Sequence, residues 1–307
     1  MTKITGELAL ILELIIGVLI GVAYLTLGER KVMGAMQRRK GPNIVGPLGI
    51  LQPIIDGVKL LIKEILIPQQ SNKINYILGP TITLILSLII WIPIPIGGIQ
   101  GFYKENNYSI IYILAVSSIS AFILLYTGWS SNSKYTFLGA IRSIAQLISY
   151  EVSFGLIILN VMILNDSLNL IKIIYKQIYI PNIIYLFPII IIFIISTLAE
   201  TNRPPFDLPE AESELVAGLL TEYGGFAFAA LYLAEYAFVQ SMSILSSILF
   251  LGSTYYTIIF IFIFIWVRAS LPRIRYDQLM NLGWAKILPF TISYLIFILS
   301  TYLLFTF

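Results

Sequence analysis

The sequence of 307 residues contains no cysteine and no histidine, and only 11% of its residues are charged. Without thiolates or imidazoles it lacks the usual ligands of iron–sulfur clusters, haem and catalytic zinc, so we expect any redox cofactor to be bound by another chain. Disulfide bonds are excluded as well. The net charge of +3 is too small to indicate nucleic-acid binding. With 58% hydrophobic residues and a mean hydropathy of +0.89, the composition excludes a soluble globular domain and indicates an integral membrane protein.

Eight apolar stretches are long enough to cross a bilayer as helices. A membrane-spanning helix needs about 20 residues to cross a hydrocarbon core of roughly 30 Å. The predicted spans are residues 5–27, 76–96, 109–128, 138–164, 183–199, 216–240, 244–266 and 287–305. No internal repeat and no linker divides the chain. We therefore predict an all-α integral membrane protein in which residues 1–307 form a single membrane domain.

The basic residues are distributed unequally between the two sides that these spans define. Fifteen of the 19 Lys and Arg residues lie in the loops after the first, third, fifth and seventh spans or at the adjoining helix ends. Positively charged loops remain on the cytoplasmic side, or on the matrix side of a mitochondrion. Both termini are therefore expected to face outward. The N-terminal stretch, with Glu7 and Glu13, is interpreted as the first span and not as a removed signal or transit peptide.

The first inside loop begins at Glu29, and its later part has the pattern of an amphipathic helix. The following apolar residues recur at helical spacing: Ile54, Ile55, Val58, Leu61, Ile62 and Ile65. Asp56, Lys59 and Lys63 occupy the other face, which favours a helix lying in the membrane interface over a ninth span. One interpretation is a lipid-binding surface anchor. The other is the wall of a cavity, because glycines and prolines between residues 41 and 53 impose a non-helical path before the helix.

The fifth loop and the spans around it carry an unusual number of carboxylates. The loop acids are Glu200, Asp207, Glu210, Glu212 and Glu214, and only Arg203 offsets them. Three further acids, Glu151, Glu222 and Glu235, lie within predicted spans, where an ionised carboxylate costs on the order of 3 kcal/mol. We expect these three to face the protein interior, paired or protonated. A spaced series of acids can pass protons through intervening waters, whereas the alternatives are a solvated acidic loop and polar ties between helices.

The same segments resemble a known family. Four segments carry the resemblance: ERKVMGAMQRRKGPNIVGPLGILQPIIDGVKLLIKE, RSIAQLISYEVSFG, LAETNRPPFDLPEAESELVAG and RYDQLMNLGWAKILP. Through them the chain resembles the membrane subunit 1 family of proton-pumping NADH:ubiquinone oxidoreductase, respiratory complex I. The resemblance covers essentially the whole chain. It implies a subunit that forms much of a quinone chamber and begins the acidic path toward the pump subunits.

The resemblance also implies site residues, cofactors and partners. The family's proton path falls on Glu151, Glu200, Glu210, Glu212, Glu222 and Glu235. Its quinone chamber falls on Arg30, Arg39, Asp56, Phe206 and Arg268. Ubiquinone is then the substrate, while FMN, NADH and the iron–sulfur clusters belong to partner subunits, mainly in the hydrophilic arm. Further expected contacts are small membrane subunits and lipid.

The expected location and the rival functions follow from the same features. A composition rich in Ile and Asn is typical of an AT-rich coding sequence and favours the mitochondrial inner membrane, with a bacterial plasma membrane as the alternative. One rival is the equivalent subunit of a membrane-bound hydrogenase or another complex I relative. A secondary transporter would predict inverted repeats, which are not found. A passive scaffold would gain nothing from costly intramembrane acids.

Overall fold

The computed structural model describes residues 2–96, 107–209 and 217–306, and these ranges are helical without strands. Within them, five helices are long and apolar enough to cross a membrane, and three shorter apolar helices accompany them. The prediction of an all-α, multi-pass membrane protein is confirmed. Glu210 and Glu212, two of the predicted site residues, lie outside the described residues, as does Glu214.

Twelve α-helices are described in these three ranges. They are α1 (Thr2–Met36), α2 (Gln52–Ile62), α3 (Lys73–Ile89), α4 (Ser109–Ser130), α5 (Lys134–Asn165), α6 (Leu170–Lys176), α7 (Asn182–Tyr185), α8 (Phe187–Glu200), α9 (Gly225–Leu251), α10 (Thr257–Ser270), α11 (Tyr276–Asn281) and α12 (Leu288–Thr306). A π-helical segment, Leu282–Ile287, joins α11 to α12. Pro289 lies two residues after this segment and has no N–H to donate to the carbonyl four residues earlier, which favours an irregular turn here.

The predicted break between the sixth and seventh spans is wrong. The predicted spans end at residue 240 and begin again at 244, but α9 continues to Leu251 through residues 241–247, which contain four serines. These serines are buried, and each hydroxyl donates to the carbonyl three residues earlier at 2.7–2.8 Å. Because the helix satisfies their polarity internally, they do not interrupt it. The helix ends instead at Gly252, whose φ of 67° is the left-handed conformation that glycine adopts without strain.

The amphipathic helix predicted in the first inside loop is α2, and it ends at Ile62, before Ile65. No residue of α2 is buried within the chain, and its apolar side chains Ile54 and Leu61 are 56% and 65% exposed. The chain approaches α2 through Gly49, which has a φ of 74°. A Cβ at this position would lie 2.3 Å from the carbonyl oxygen of Pro42. The exposed apolar face is what an interfacial helix presents to a bilayer.

The core lies along α5, α8 and α9. In the most apolar 18-residue stretch of each helix, the buried share is 56% for α5 and 67% for α9, against 17% for α1. The rings of Phe154, Phe193 and Phe250 join the three helices, with centroids 5.4 Å and 4.9 Å apart. This packing joins α8, which ends at Glu200, to α9, which carries Glu235 near its middle.

Candidate functional site

Four charged side chains from distant parts of the sequence meet in one ion cluster. Glu29 comes from α1, Arg203 from the loop after α8, Glu235 from α9 and Arg268 from α10. Arg203 Nη1 lies 3.0 Å from Glu29 Oε1, and Arg203 Nε lies 3.0 Å from Glu235 Oε1. Arg268 Nη1 pairs with the same oxygen of Glu29. The ion cluster contains two positive and two negative groups and therefore balances its own charge.

Arg203 lies at the centre of this cluster and is 6% exposed. Its guanidinium carbon stands 4.1 Å from the ring centroid of Tyr236, a cation–π contact. Burial alone would lower the pKa of Arg203, but the nearby carboxylates of Glu235 and Glu29 raise it above its usual value. Arg203 thus remains charged and holds two carboxylates in the interior.

The loop that carries Arg203 is fixed to the helices around it. Gln146 of α5 donates from Nε2 to the carbonyl oxygens of Ala199 and Phe206, at 2.7 Å and 2.8 Å. Arg273 Nη2 pairs with Asp207 Oδ2 at 3.0 Å. Phe206, predicted to line the quinone chamber, is 4% exposed and packs against Tyr150 with ring centroids 5.9 Å apart. Residues 201–209 are therefore a packed segment of the protein and not a solvated loop.

A cavity of about 90 Å³ lies beside the ion cluster, between α3, α4, α8 and α9. We call it the central cavity. Its polar lining consists mainly of Thr83, Ser120, Glu200, Asn202, Tyr232 and Glu235. Within the described part of the chain, Glu200 Oε2 and Asn202 Oδ1 are buried and have no hydrogen-bond partner. Such groups are usually satisfied by water, and the cavity is large enough to hold water molecules.

Two further acids of the predicted path have different surroundings. Glu151 of α5 is half-buried, accepts a hydrogen bond from Ser118 Oγ of α4, and interacts electrostatically with Glu200. Glu222 lies in the turn before α9, not within a span, and its side chain is exposed, so the expectation that it faces the chain interior is wrong. Its backbone carbonyl accepts a 2.5 Å hydrogen bond from Tyr76.

The other predicted quinone-chamber residues do not form a single group in this chain. Arg30 Nη1 pairs with Asp56 Oδ2 at 2.8 Å and links α1 to α2. Arg39 donates to Gln37 Oε1 at 2.7 Å and borders an open pocket of about 230 Å³. Arg268 belongs to the ion cluster.

Sequence reasoning missed Glu29 and Gln146 as site residues and treated Arg203 only as an offsetting charge. Glu29 begins the first-loop segment ERKVMGAMQRRK, and it is also the last acid of a long apolar helix and is 3% exposed. It lies 16 residues after Glu13 at the end of the same apolar stretch, and this position could have indicated it as a candidate site residue. Gln146 lies within the family segment RSIAQLISYEVSFG, but its role depends on contacts 53 and 60 residues away, which the segment does not show.

Comparison with known proteins identifies the relatives of this chain. The family model described as NADH dehydrogenase matches residues 9–299. A protein of Chondrus crispus named NADH-ubiquinone oxidoreductase chain 1 is 49% identical, covering 96% of this chain and 95% of the relative. The protein of the same name from Dictyostelium citrinum is 48% identical, covering 95% and 93%. A subunit of NADH-quinone oxidoreductase from Rickettsia prowazekii is 50% identical, covering 92% and 89%.

Proposed function

Since the chain belongs to the NADH dehydrogenase family, we propose that it is the membrane subunit 1 component of proton-pumping NADH:quinone oxidoreductase, respiratory complex I. High identity along nearly the whole length of relatives named as NADH-ubiquinone or NADH-quinone oxidoreductase components supports this assignment. It favours complex I over the hydrogenase-type relative that the sequence left open. The chain contributes to an oxidoreductase without carrying electrons itself, because it has neither Cys nor His for redox centres.

The proposal includes a path for protons through Glu151, Glu200, Glu210, Glu212, Glu222 and Glu235. The observation that carries it is the central cavity, which Glu200 and Glu235 both line and which has room for water. Glu151 extends this series through its electrostatic contact with Glu200. Carboxylates separated by a few waters are suited to proton transfer, because each can bind and release a proton without moving far.

The proposal also includes a quinone chamber formed with partner subunits. Arg30, Arg39, Asp56, Phe206 and Arg268 are the residues assigned to it. The Arg30–Asp56 pair supports an entry beside α2, since it joins the first span to a helix whose apolar face is open to the membrane. An amphiphilic quinone can approach such a surface from the bilayer.

Partners and location follow from this assignment. FMN, the NADH site and the iron–sulfur clusters belong to other subunits, chiefly those of the hydrophilic arm. We place the chain in the mitochondrial inner membrane with both termini on the intermembrane-space side, and the bacterial relatives keep the plasma membrane as the alternative.

Glu200→Gln tests the proton path, because it keeps the size of the side chain but removes the exchangeable acid. NADH:quinone reduction and proton pumping by the assembled complex should fall at least about ten-fold. NADH oxidation by a hydrophilic artificial acceptor should remain normal, since that reaction stops before quinone.

The matched control is Glu64→Gln, which changes an exposed acid of the first inside loop. It should preserve both activities. A Glu200→Gln complex that pumped at the wild-type rate and ratio would reduce Glu200 to a structural residue.

A further inference from the structure

Helix α1 has one face that nothing else in the described chain covers. Val18 and Val22 point into the core, at 4% and 0% exposure. On the other side, Ile16, Ile20 and Tyr24 are 56%, 52% and 43% exposed. Their spacing of four residues places them in one stripe along the helix, which we call the α1 outer stripe.

The α1 outer stripe contains an acid, Glu13. Its side chain is exposed, and no hydrogen bond or ion pair joins its carboxylate to the described residues. One turn further along is Gly17, where an added Cβ would meet no atom within 4 Å. A charge on a lipid-facing helix surface is costly and normally faces a protein partner. The glycine beside it leaves a notch that admits a second helix at close range.

The depth of Glu13 places it inside the membrane and not in the aqueous phase. Glu13 precedes Arg30 by 17 residues, which corresponds to about 25 Å along the helix axis. Arg30 pairs with Asp56 of the interfacial helix α2 and therefore marks one membrane surface. With a hydrocarbon core of roughly 30 Å, Glu13 lies just inside the opposite surface.

We infer that a transmembrane helix of a partner subunit covers the α1 outer stripe and brings a lysine or arginine to Glu13 near its outer end. The partner packs against Ile16 and Ile20 and approaches closely at Gly17. Charge complementarity favours this occupant, because a lipid chain neither neutralises a carboxylate nor requires a notch. The inference rests on the proposed function, since it requires the chain to belong to a multi-subunit membrane assembly.

A photo-crosslinking amino acid at Ile16, incorporated into the assembled complex in native membranes, tests the inference. It should form an adduct with a subunit that contains a transmembrane helix. Glu13→Lys should lower the adduct yield at least ten-fold through charge repulsion, and Glu13→Gln should lower it less. Glu64→Lys, which reverses an exposed acid away from the stripe, should leave the yield unchanged.

Adducts with lipid or quinone alone would overturn the inference, and so would a protein adduct whose yield Glu13→Lys does not change. NADH:quinone reduction by the same membranes tests the proposed function separately. Membranes that reduce quinone normally but give no adduct contradict only the partner helix. Membranes that give the Glu13-dependent adduct without quinone reduction contradict only the function.

Discussion

Replacing Arg203 by Gln should destabilise the protein strongly, because Arg203 is the shared partner of two acids in the ion cluster. Its two ion-pair distances are both 3.0 Å, and its side chain is 7% exposed. After the substitution, Glu29 still has Arg268, but Glu235 loses its direct partner. Breaking a buried ion pair by removing one member costs about 3–5 kcal/mol.

The assay is the half-life of the assembled complex at a fixed elevated temperature, since large assemblies unfold irreversibly. If the loss appears fully in the unfolding barrier, the half-life should shorten by about 100-fold to a few thousand-fold. Lys176→Gln is the control, because the Lys176–Asp166 pair has a similar distance of 3.1 Å but side chains about half exposed. An exposed pair contributes at most about 1 kcal/mol, so this change should be roughly five-fold or less.

A second substitution separates the loss of a partner from a simple loss of packing. Adding Glu235→Gln to Arg203→Gln restores charge balance and removes the unpaired acid, so it should recover much of the half-life. Adding Glu29→Gln instead leaves Glu235 without its partner and should recover less. The reasoning would be refuted if the two double variants had equal half-lives. It would also be refuted if Arg203→Gln and Lys176→Gln shortened the half-life equally.

Two further predictions concern the C-terminal end of the last helix and a helix–helix contact. Tyr302 donates to Asp166 Oδ1 at 2.6 Å, and this hydrogen bond holds the pKa of Asp166 below its ordinary value of 3.8. A carboxyl whose pKa is lower in the folded state stabilises the protein above the unfolded pKa and loses that contribution as the pH falls through the folded pKa. Tyr302→Phe should therefore destabilise at neutral pH but hardly at pH values below the folded pKa, which thermal unfolding across pH would show. Gly128→Ala should destabilise the protein by about 1–3 kcal/mol through overpacking, because the added Cβ would lie 2.3 Å from the Cβ of Ala140. Gly155→Ala is the control. Its added Cβ would meet no atom within 4 Å, so it should be tolerated in the same assay.

The helices were largely predictable because length and hydropathy determine which segments can cross a bilayer. The starts of α3, α4 and α5 lie within four residues of the predicted spans. The end of α9 was not predictable in the same way, because a serine counts as polar even where its hydroxyl bonds to its own helix. Glu222 was misplaced for a related reason: apolar residues on both sides of it suggested a continuous span, but the helix begins only at Gly225.

The ion cluster could not be predicted from spacing, since its members come from four separate parts of the chain. Arg203 and Glu29 are 174 residues apart, and Arg268 and Glu29 are 239 apart. A single sequence shows that such charges are costly within a membrane, and it therefore predicts that they are paired. It does not show which residues pair, because that depends on how α1, α9 and α10 pack together.

Glu29 and Glu200 have different surroundings, and the difference supports separate roles in the proposed function. Glu29 is bound between two arginines, which suits a residue that holds helices together. Glu200 has a buried oxygen without a partner and faces the central cavity, which suits a group that exchanges protons through water. Among the described residues, Glu235 alone both lines the cavity and pairs with Arg203. A displacement of residues 201–209 would therefore change the charge balance at the cavity directly, so this pair is where such a change would act on the proposed proton path.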